Sequence, residues 1–400
     1  MRNLIVVCTV LFFGLVGFQK SLLASDTLKN CKNGHYFFKT LHAADALEVQ
    51  NQNRTSTCWS FSALSFFESE VMRLGKGEHK LSEMFVVRNA YIEKAKQYVR
   101  YHGKINFAEG GAFHDIPLVI KNYGMVPESV YGGLEYGLDN HNHGEMVAAL
   151  SGFLKGIIAN KQGQLTSSWL KAFEGILDAY LGEVPKEFSY KGAVYSPKTF
   201  ASSLGLNMND YVALSSFTHH PFYSHFVMEV PDNWAQKTVF NLPLNEFMAV
   251  MKGVISKGYT FAWGADVSEK GFAYRYGLAI VPTDESKLGM RGQDKNGFRS
   301  AGAERMGNQL LYPGAEMKID QAIRQKAFDN YATTDDHGMH ITGMVVDQNG
   351  IPYFAVKNSW GKSNYCEGFL YASMPYVAYK TINILVHKNA LPKKLVKTIY

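Results

Sequence analysis

Apolar residues recur at helical spacing through much of the first two thirds of the chain. From Thr57 to Leu74 they cover most faces of a predicted helix, which is typical of a helix buried at the centre of a fold. A second helix is predicted to begin after Ser82, whose side chain can cap the first turn, and to end at Gly103. Further helices are predicted from Asp115 to Gly124, from Ser168 to Leu181, after Ser196-Pro197, and from Leu244 to Ile255.

The last third of the chain changes to the β-branched and aromatic runs that are typical of strands. Residues 341–346 and 353–356 flank an Asn-Gly pair at 349–350, which is a strong signal for a β-hairpin. Antiparallel pairing around such a turn brings His340, at the start of one strand, close to Asn358, at the end of the other. Further strands are predicted at 259–263, 369–372 and 381–386.

Size and charge narrow the class of protein. The 400 residues exceed one ordinary domain and indicate about two lobes, and a 46% share of hydrophobic residues is sufficient for a large core. The net charge of +6 is small for this length and is dispersed along the chain. Because no basic stretch with interleaved aromatic residues is present, nucleic-acid binding is not expected.

The N-terminal segment has the pattern of a secretory signal peptide. Arg2 precedes an apolar run from Leu4 to Phe18, which is short for a membrane span. We therefore predict a signal peptide at residues 1–24, export to the periplasm or the medium, and no stable membrane association after cleavage. An uncleaved membrane anchor is the alternative.

Export would change the chemistry expected of the cysteines. The chain from residue 25 onward contains Cys31, Cys58 and Cys366. Three is an odd number, which fits one disulfide between Cys31 and Cys366 and a free thiol at Cys58. Three reduced thiols are equally compatible with the sequence.

Four residues that lie far apart along the chain have the chemistry of a thiol acyl-transfer site. Cys58 lies at the start of the predicted central helix, where the helix dipole favours a thiolate nucleophile. His340 would take the thiol proton and return it to the leaving amine, and Asn358 would orient the imidazole. Gln52 would donate its amide to the oxyanion together with the Cys58 backbone N–H. Trp360 would cover the hydrogen bond between histidine and asparagine.

Other histidines compete for a functional role. His337 follows two aspartates and is expected to lie solvated in a polar loop. His219-His220 and the pair of His141 and His143 suggest metal binding, but neither pair has a carboxylate or a third ligand at a recurrent spacing. We therefore expect no metal site and no other cofactor.

These residues resemble the active-site segments of the papain-like cysteine peptidases. The spacing of Gln52 and Cys58 and the Asn-Ser-Trp-Gly sequence at 358–361 are similar to those of the family, in the family's order along the chain. The pair Gly110-Gly111 resembles the segment whose backbone pairs with a bound peptide in that family. Together these segments span most of the chain and leave its middle unassigned.

The resemblance implies an α+β, papain-like two-lobed fold, with a helical left lobe, a β-rich right lobe and a substrate cleft between them. It implies that Cys58, His340 and Asn358, assisted by Gln52, hydrolyse peptide bonds through a thioester acyl-enzyme. It also implies that peptide substrates bind at the glycine pair and at Trp360.

The long separation between Cys58 and His340 is similar to that in the bleomycin hydrolase and aminopeptidase C branch of the family. This likeness implies a large helical insertion at about 141–257, removal of N-terminal residues from peptides, and a homo-hexamer. In that branch a C-terminal arm presents a carboxylate to the amino group of the substrate, whereas residues 392–400 here are few and basic. Glu109, beside the glycine pair, is a candidate to supply the negative group instead.

Two alternative functions follow from the same residues. The short basic tail favours an exported papain-like endopeptidase as the enzyme alternative. A catalytically inactive peptide-binding homologue is the alternative of another class.

Overall fold

The computed structural model describes residues 27–161, 163–284, 288–291, 304–306 and 308–400. The predicted signal peptide at 1–24 lies outside the described residues. The helices are α1 (Cys58–Arg73), α2 (Glu83–Arg100), α3 (Asp115–Tyr123), α4 (Gly144–Ile158), α5 (Ser168–Leu181), α6 (Pro197–Ser203), α7 (Leu244–Ser256), α8 (Asn308–Leu311), α9 (Gln321–Asp329), α10 (Met374–Lys380) and α11 (Lys393–Ile399).

Strands are concentrated in the second half of the chain, as the sequence predicts. They are β1 (Leu28–Lys29), β2 (Phe37–Ala43), β3 (Phe188–Tyr190), β4 (Ala193–Tyr195), β5 (Tyr211–Ser215), β6 (His225–Val227), β7 (Thr238–Asn241), β8 (Phe261–Ala265), β9 (Phe272–Ala273), β10 (Leu278–Ala279), β11 (Gly289–Arg291), β12 (Glu304–Met306), β13 (His337–Val346), β14 (Pro352–Lys357), β15 (Phe369–Ser373) and β16 (Thr381–His387). The predicted α+β class is confirmed.

The helical lobe packs around α1, which is buried along nearly its whole length. α1 through α5 share one apolar core, and the serines and glutamates of α1 are buried as well because neighbours surround the helix. The Ser82 hydroxyl accepts a hydrogen bond from the Phe85 backbone N–H at 3.0 Å, which is the predicted cap of α2. Gly124 ends α3 with a φ of 90°, a conformation that favours glycine.

The β-rich lobe is a large sheet with β13 at its centre. The strand order is β6-β7-β5-β16-β8-β13-β14-β15-β10-β9, and β2 also pairs with β13 and with β1. The first half of β13 pairs with β8 and its second half with β2, while β14 lies along its other edge. Side chains of α7, α10 and α11 join the apolar core on this sheet.

The hairpin of β13 and β14 contains a change of register that matters for the site. Between the turn and Gly343 the strands pair as the Asn-Gly signal predicts, with Gly343 opposite Ala355. A β-bulge between Ile341 and Gly343 then shifts the pairing by one residue, so that His340 lies opposite Lys357. A shift by one residue turns a strand's side chains to the opposite face.

The middle of the chain is less purely helical than predicted. Residues 141–257 contain α4 to α7, but they also contain β3 to β7, and three of these strands join the large sheet. β5 pairs with β16 and with β7, which are distant in sequence. Strands of three to five residues that depend on such partners leave little local pattern, so the insertion predicted here is a mixed α and β segment.

Within the described part of the chain, no helix is long and apolar enough to cross a membrane. Cys31, Cys58 and Cys366 are all free thiols. The predicted disulfide between Cys31 and Cys366 is therefore not formed, and the alternative of three reduced thiols agrees with the structure.

Candidate active site

A cleft of about 450 Å³ opens where the start of α1 meets the start of β13. Its walls include Cys58, His337, Gly338 and the pair Gly110-Gly111. The cleft therefore contains the predicted nucleophile and the predicted peptide-binding segment, together with a histidine that the sequence did not favour.

Cys58 is the first residue of α1 and is only 8% exposed. Burial raises the pKa of its thiol to about 12, although a hydrogen bond from the Gly338 backbone acts in the opposite direction. The carboxylates of Asp335 and Asp232 raise the pKa further. Burial and these two charges thus favour the neutral thiol of Cys58 over the thiolate.

His337 is the histidine that meets Asn358. Its Nε2 donates to Asn358 Oδ1 at 2.7 Å, and the Ser359 backbone N–H donates to the same oxygen at 2.8 Å. Because the second bond fixes which asparagine atom is oxygen, the imidazole proton lies on Nε2 and the lone pair on Nδ1. The ring centroids of His337 and Trp360 are 4.8 Å apart, so Trp360 covers this pair as predicted.

Burial also sets the charge state of this histidine. It lowers the pKa of His337 to about 4, and the hydrogen bond to Asn358 offsets only part of the effect. The prediction that His337 is solvated is wrong, since the side chain is 2% exposed. It lines the cleft as a neutral base.

His340 lies away from the cleft, and its predicted pairing with Asn358 is wrong. Its Nδ1 lies 2.9 Å from Ser65 Oγ in α1, and Lys357 Nζ donates to the same hydroxyl at 2.8 Å. The ring is fully buried and packs edge-on against Phe66. The physical reason is the β-bulge, which turns His340 to the face of Lys357 rather than that of Asn358.

Gln52 is held firmly on the wall of a neighbouring part of the cleft, which also includes Trp360. Its Oε1 accepts a hydrogen bond from Ser359 Oγ at 2.7 Å, and its Nε2 donates to Thr55 O at 2.7 Å. An amide nitrogen carries two hydrogens, so a second donor remains on Nε2. Ser56 belongs to the walls of both parts of the cleft, which are therefore continuous.

The glycine pair lies against buried side chains that demand its small size. A Cβ at Gly111 would lie 2.8 Å from the Trp59 ring, closer than real Cβ contacts. The Lys94 ammonium donates to the Gly110 carbonyl, which fixes the segment from behind. A Cβ at Gly110 would lie 1.9 Å from a carboxylate oxygen of Asp232. The carboxylate of Asp232 thus stands directly over the segment.

Three cleft residues were missed or misjudged from the sequence. Asp232 lies in the middle of the chain, where no motif marks it, and only the fold brings it to the cleft. Asp335 and His337 belong to the segment that was predicted to be a solvated loop. A usable signal was the small and apolar residues that surround both histidines in β13, because a strand that begins at His337 and is buried on both faces explains both histidines as buried residues.

One group among the described residues has the composition of a metal site. His219, His220 and Glu229 offer ligand atoms within 4.8 Å of one another, so the carboxylate that the sequence did not reveal is present. Both histidines hydrogen-bond Glu229 through Nε2, at 3.1 and 2.5 Å. Gln325 Nε2 donates to His219 Nδ1, and its Oε1 is fixed by the Thr218 N–H. His219 Nε2 therefore carries the proton and is poorly suited to bind a cation.

Comparisons with known proteins agree with this geometry. A model of the peptidase C1-like family matches residues 309–400. The chain is 23% identical to an aminopeptidase C of Listeria innocua over 397 residues, which cover 89% of this chain and 83% of the relative. It is 22% identical to the mitochondrial cysteine proteinase 1 of Saccharomyces cerevisiae over 427 residues, 94% of this chain and 83% of the relative.

A solved structure shares the fold. PepW from Lactobacillus rhamnosis HN001 superposes with a TM-score of 0.65 at 18% sequence identity, over 90% of this chain and 84% of that one.

The relatives also bear on two of the predictions. The prediction of an exported protein is wrong, because the chain matches aminopeptidases C and a cysteine proteinase that is named as mitochondrial, not secreted. The prediction of family is confirmed for its aminopeptidase C branch. The chain is thus similar to the papain-like cysteine peptidases of the aminopeptidase C branch, in sequence along most of its length and in fold.

Proposed function

We propose that the chain removes N-terminal residues from peptides, with Cys58 as nucleophile, His337 as base and Asn358 as the group that orients His337. The observation that carries this assignment is the 2.7 Å hydrogen bond from His337 to Asn358 beside the cleft that contains Cys58. His337 takes the role that the sequence analysis gave to His340. Asn358 keeps its predicted role.

The reaction proceeds in two balanced halves. Cys58 Sγ attacks the substrate carbonyl carbon while its proton passes to His337 Nδ1, and the resulting imidazolium returns the proton to the departing amine. The product of this half is a thioester. Water then attacks the thioester, His337 accepts a proton from that water, and the proton returns to sulfur as the acid leaves.

The electrostatics favour proton transfer during attack rather than before it. Burial raises the pKa of Cys58 and lowers that of His337, so that thiol and imidazole are both neutral in the free protein. An ion pair formed in advance would oppose both shifts. The base is therefore ready with its Nδ1 lone pair, and the thiolate develops as the carbonyl is attacked.

The developing oxyanion has two candidate donors. The Cys58 backbone N–H belongs to the first turn of α1, where backbone donors lack helical partners. Gln52 adds its second amide hydrogen, and its orientation is fixed by Ser359 and Thr55. Donors held in place before the reaction need no reorganisation when the charge appears.

The names of the relatives support exopeptidase action over endopeptidase action, since several are aminopeptidases C. Assembly into a homo-hexamer stays a prediction from the family resemblance. Mass measurement of the native protein would test it.

One experiment tests both the chemistry and the mode of cleavage. Hydrolysis of an alanyl aminocoumarin amide is compared with that of its N-acetyl form, in the unmutated chain and in Cys58→Ala. We expect cleavage of the free-amine substrate, much slower cleavage of the acetylated one, and none by Cys58→Ala. Faster cleavage of the acetylated substrate would make the protein an endopeptidase, and activity that survives Cys58→Ala would refute the nucleophile.

A further inference from the structure

The acidic residues of the cleft differ in the hydrogen bonds that their carboxylates accept from the protein. Glu109, the candidate from the sequence for the negative group, accepts a hydrogen bond at 2.6 Å from the Ser56 backbone N–H. Asp336 accepts hydrogen bonds through both oxygens, from the hydroxyls of Ser268 at 2.5 Å and Thr334 at 2.7 Å. These two carboxylates are therefore bonded to donors of the protein itself.

Two other carboxylates remain for a ligand. Asp232 accepts one hydrogen bond, from Asn106 Nδ2 to Oδ1 at 3.1 Å, and its Oδ2 stands over Gly110 in the cleft. Asp335 also lines the cleft, and among the described residues no donor is bonded to its carboxylate. Both carboxylates act on the charge state of Cys58, so both lie near the reacting sulfur.

The described walls of the cleft contain no lysine or arginine that would neutralise these charges. The buried Lys94 offsets part of the rise in the pKa of Asp232 that burial causes, but its ammonium donates to the carbonyls of Ala108 and Gly110 behind the segment. Asp232 raises the pKa of Asp335, which burial has already raised, to about 8. The free cleft thus disfavours a second negative charge on Asp335, and a bound cation would favour its ionisation.

The tail of the described chain does not supply the cleft with a charge. α11 lies on the β-rich lobe, where Leu395 is buried in the apolar core. The Tyr400 hydroxyl donates to Asn209 O at 3.5 Å, and none of residues 392–400 lines the cleft.

We propose that Asp232 and Asp335 together bind the α-ammonium group of the substrate and so restrict cleavage to the first peptide bond. This inference rests on the proposed aminopeptidase function. An ammonium group has three N–H donors, enough to bond both carboxylates, and an N-acetyl group has lost both the charge and two of these donors. Asp232 also occupies the space over Gly110, so a longer N-terminal extension would meet a carboxylate there.

The test is a set of charge-removing variants of the full chain: Asp232→Asn, Asp335→Asn and the double variant. Three substrates are compared: an alanyl aminocoumarin amide, its N-acetyl form, and N-acetyl-lysyl-alanyl aminocoumarin amide. For each single variant we expect kcat/KM for the free-amine substrate to fall about 10- to 100-fold, mainly through KM, as for loss of a charged hydrogen bond. The acetylated alanyl substrate should be unaffected or cleaved faster. Asp45→Asn, an exposed aspartate that lines neither part of this cleft, is the matched control.

Different outcomes overturn different claims. If the unmutated chain prefers free amines and the variants retain that preference, the Asp232–Asp335 subsite is refuted and the aminopeptidase function stands. If the unmutated chain has no such preference, both fail. Equal losses on all substrates would indicate a structural role only, and a loss confined to the lysyl substrate would assign the carboxylates to a side-chain ammonium.

A binding measurement guards against variants that fold poorly. In Cys58→Ser, which cannot form the thioester, calorimetry compares alaninamide with N-acetylalaninamide. We expect the free amine to bind more tightly and to lose that advantage when Asp232→Asn is added. Equal binding of both amides in Cys58→Ser would refute the subsite.

Discussion

His337 and His340 lie three residues apart on one strand, yet they belong to two different regions of the molecule. His337 lies at the cleft, bonded to Asn358 and covered by Trp360. His340 lies in the interior between β13 and α1, bonded to Ser65. Both are buried and both have lowered pKa values because of burial, so neither exposure nor charge state separates them.

The difference between them is the partner that each ring meets, and a single β-bulge decides it. Pairing counted without a bulge from Gly343 opposite Ala355 would put His340 opposite Asn358, as the sequence analysis assumed. The bulge moves the strand by one residue and turns His340 to the face of Lys357. To assign a candidate catalytic residue on a strand, one must therefore know which face of the sheet its side chain points from, as well as its distance from the hairpin turn.

The largest effect that we expect is on kcat, and it should differ sharply between His337→Ala and His340→Ala. His337→Ala removes the proposed general base and should lower kcat about 10²- to 10⁴-fold. His340→Ala removes a residue that does not reach the cleft and should leave kcat within a few-fold. Steady-state kinetics with a free-amine substrate would measure both, and near-UV circular dichroism would verify the fold. The reverse order of losses would restore His340 as the base.

The second prediction concerns Gln52, the proposed side-chain donor to the oxyanion in the cleft. Gln52→Ala removes the proposed side-chain donor to the oxyanion and should lower kcat about 10²- to 10³-fold with little change in KM. Gln50→Ala is the matched control, because the Gln50 side chain bonds Lys80 outside the main cleft. An unchanged kcat in Gln52→Ala would mean that the second amide hydrogen does not reach the oxyanion.

The helices and two of the candidate site residues could be predicted from the sequence. The β-bulge that separates His337 from His340 could not. α1, the Ser82 cap and α5 follow from local periodicity and capping, which short stretches of chain carry by themselves. Cys58 and Asn358 were found because each lies in a distinctive segment. The bulge at Ile341 has no local signature, since it depends on pairing with β14.

The same limit applies to the middle of the chain. β5, β6 and β7 are short and are stabilised by strands far away in sequence, so a reading based on periodicity takes their surroundings as helical. Asp232 follows β6 and reaches the cleft only because this segment joins the sheet. The residue that we propose to determine specificity thus lies in a segment that carries no motif.

His340 should matter for stability instead of turnover. Its Nδ1 accepts from the Ser65 hydroxyl, and His340→Ala leaves that buried donor without its acceptor. We expect the free energy of unfolding to fall by about 1–3 kcal/mol, measured by urea denaturation. A double-mutant cycle with Ser65→Ala should show coupling between the two residues. Additive losses would mean that the hydrogen bond contributes nothing of its own.

The smallest effect concerns the charge state of Cys58, which distinguishes the neutral pair from an ion pair. Because the raised pKa of the thiol lies near 12, the thiolate fraction should grow about tenfold for each pH unit between pH 7 and pH 9. Alkylation of Cys58 by iodoacetamide, followed by peptide mass mapping to separate it from Cys31 and Cys366, should rise with that slope. A rate that stays constant across this range would indicate an imidazolium–thiolate pair.

Asp335 sharpens this last measurement, because its negative charge is one cause of the raised pKa. Asp335 itself is ionised mainly above a pH of about 8, because burial and neighbouring aspartates raise its pKa to about 8. Removal of that charge in Asp335→Asn should therefore increase the thiolate fraction of Cys58 at pH values above about 8. We therefore expect alkylation at pH 9 to become a few-fold faster, while Asp45→Asn leaves the rate unchanged. Burial is the larger cause of the shift and remains in the variant, so the steep pH dependence should persist. Slower alkylation in Asp335→Asn would mean that its carboxylate helps to ionise the thiol, and the neutral-pair mechanism would then be wrong.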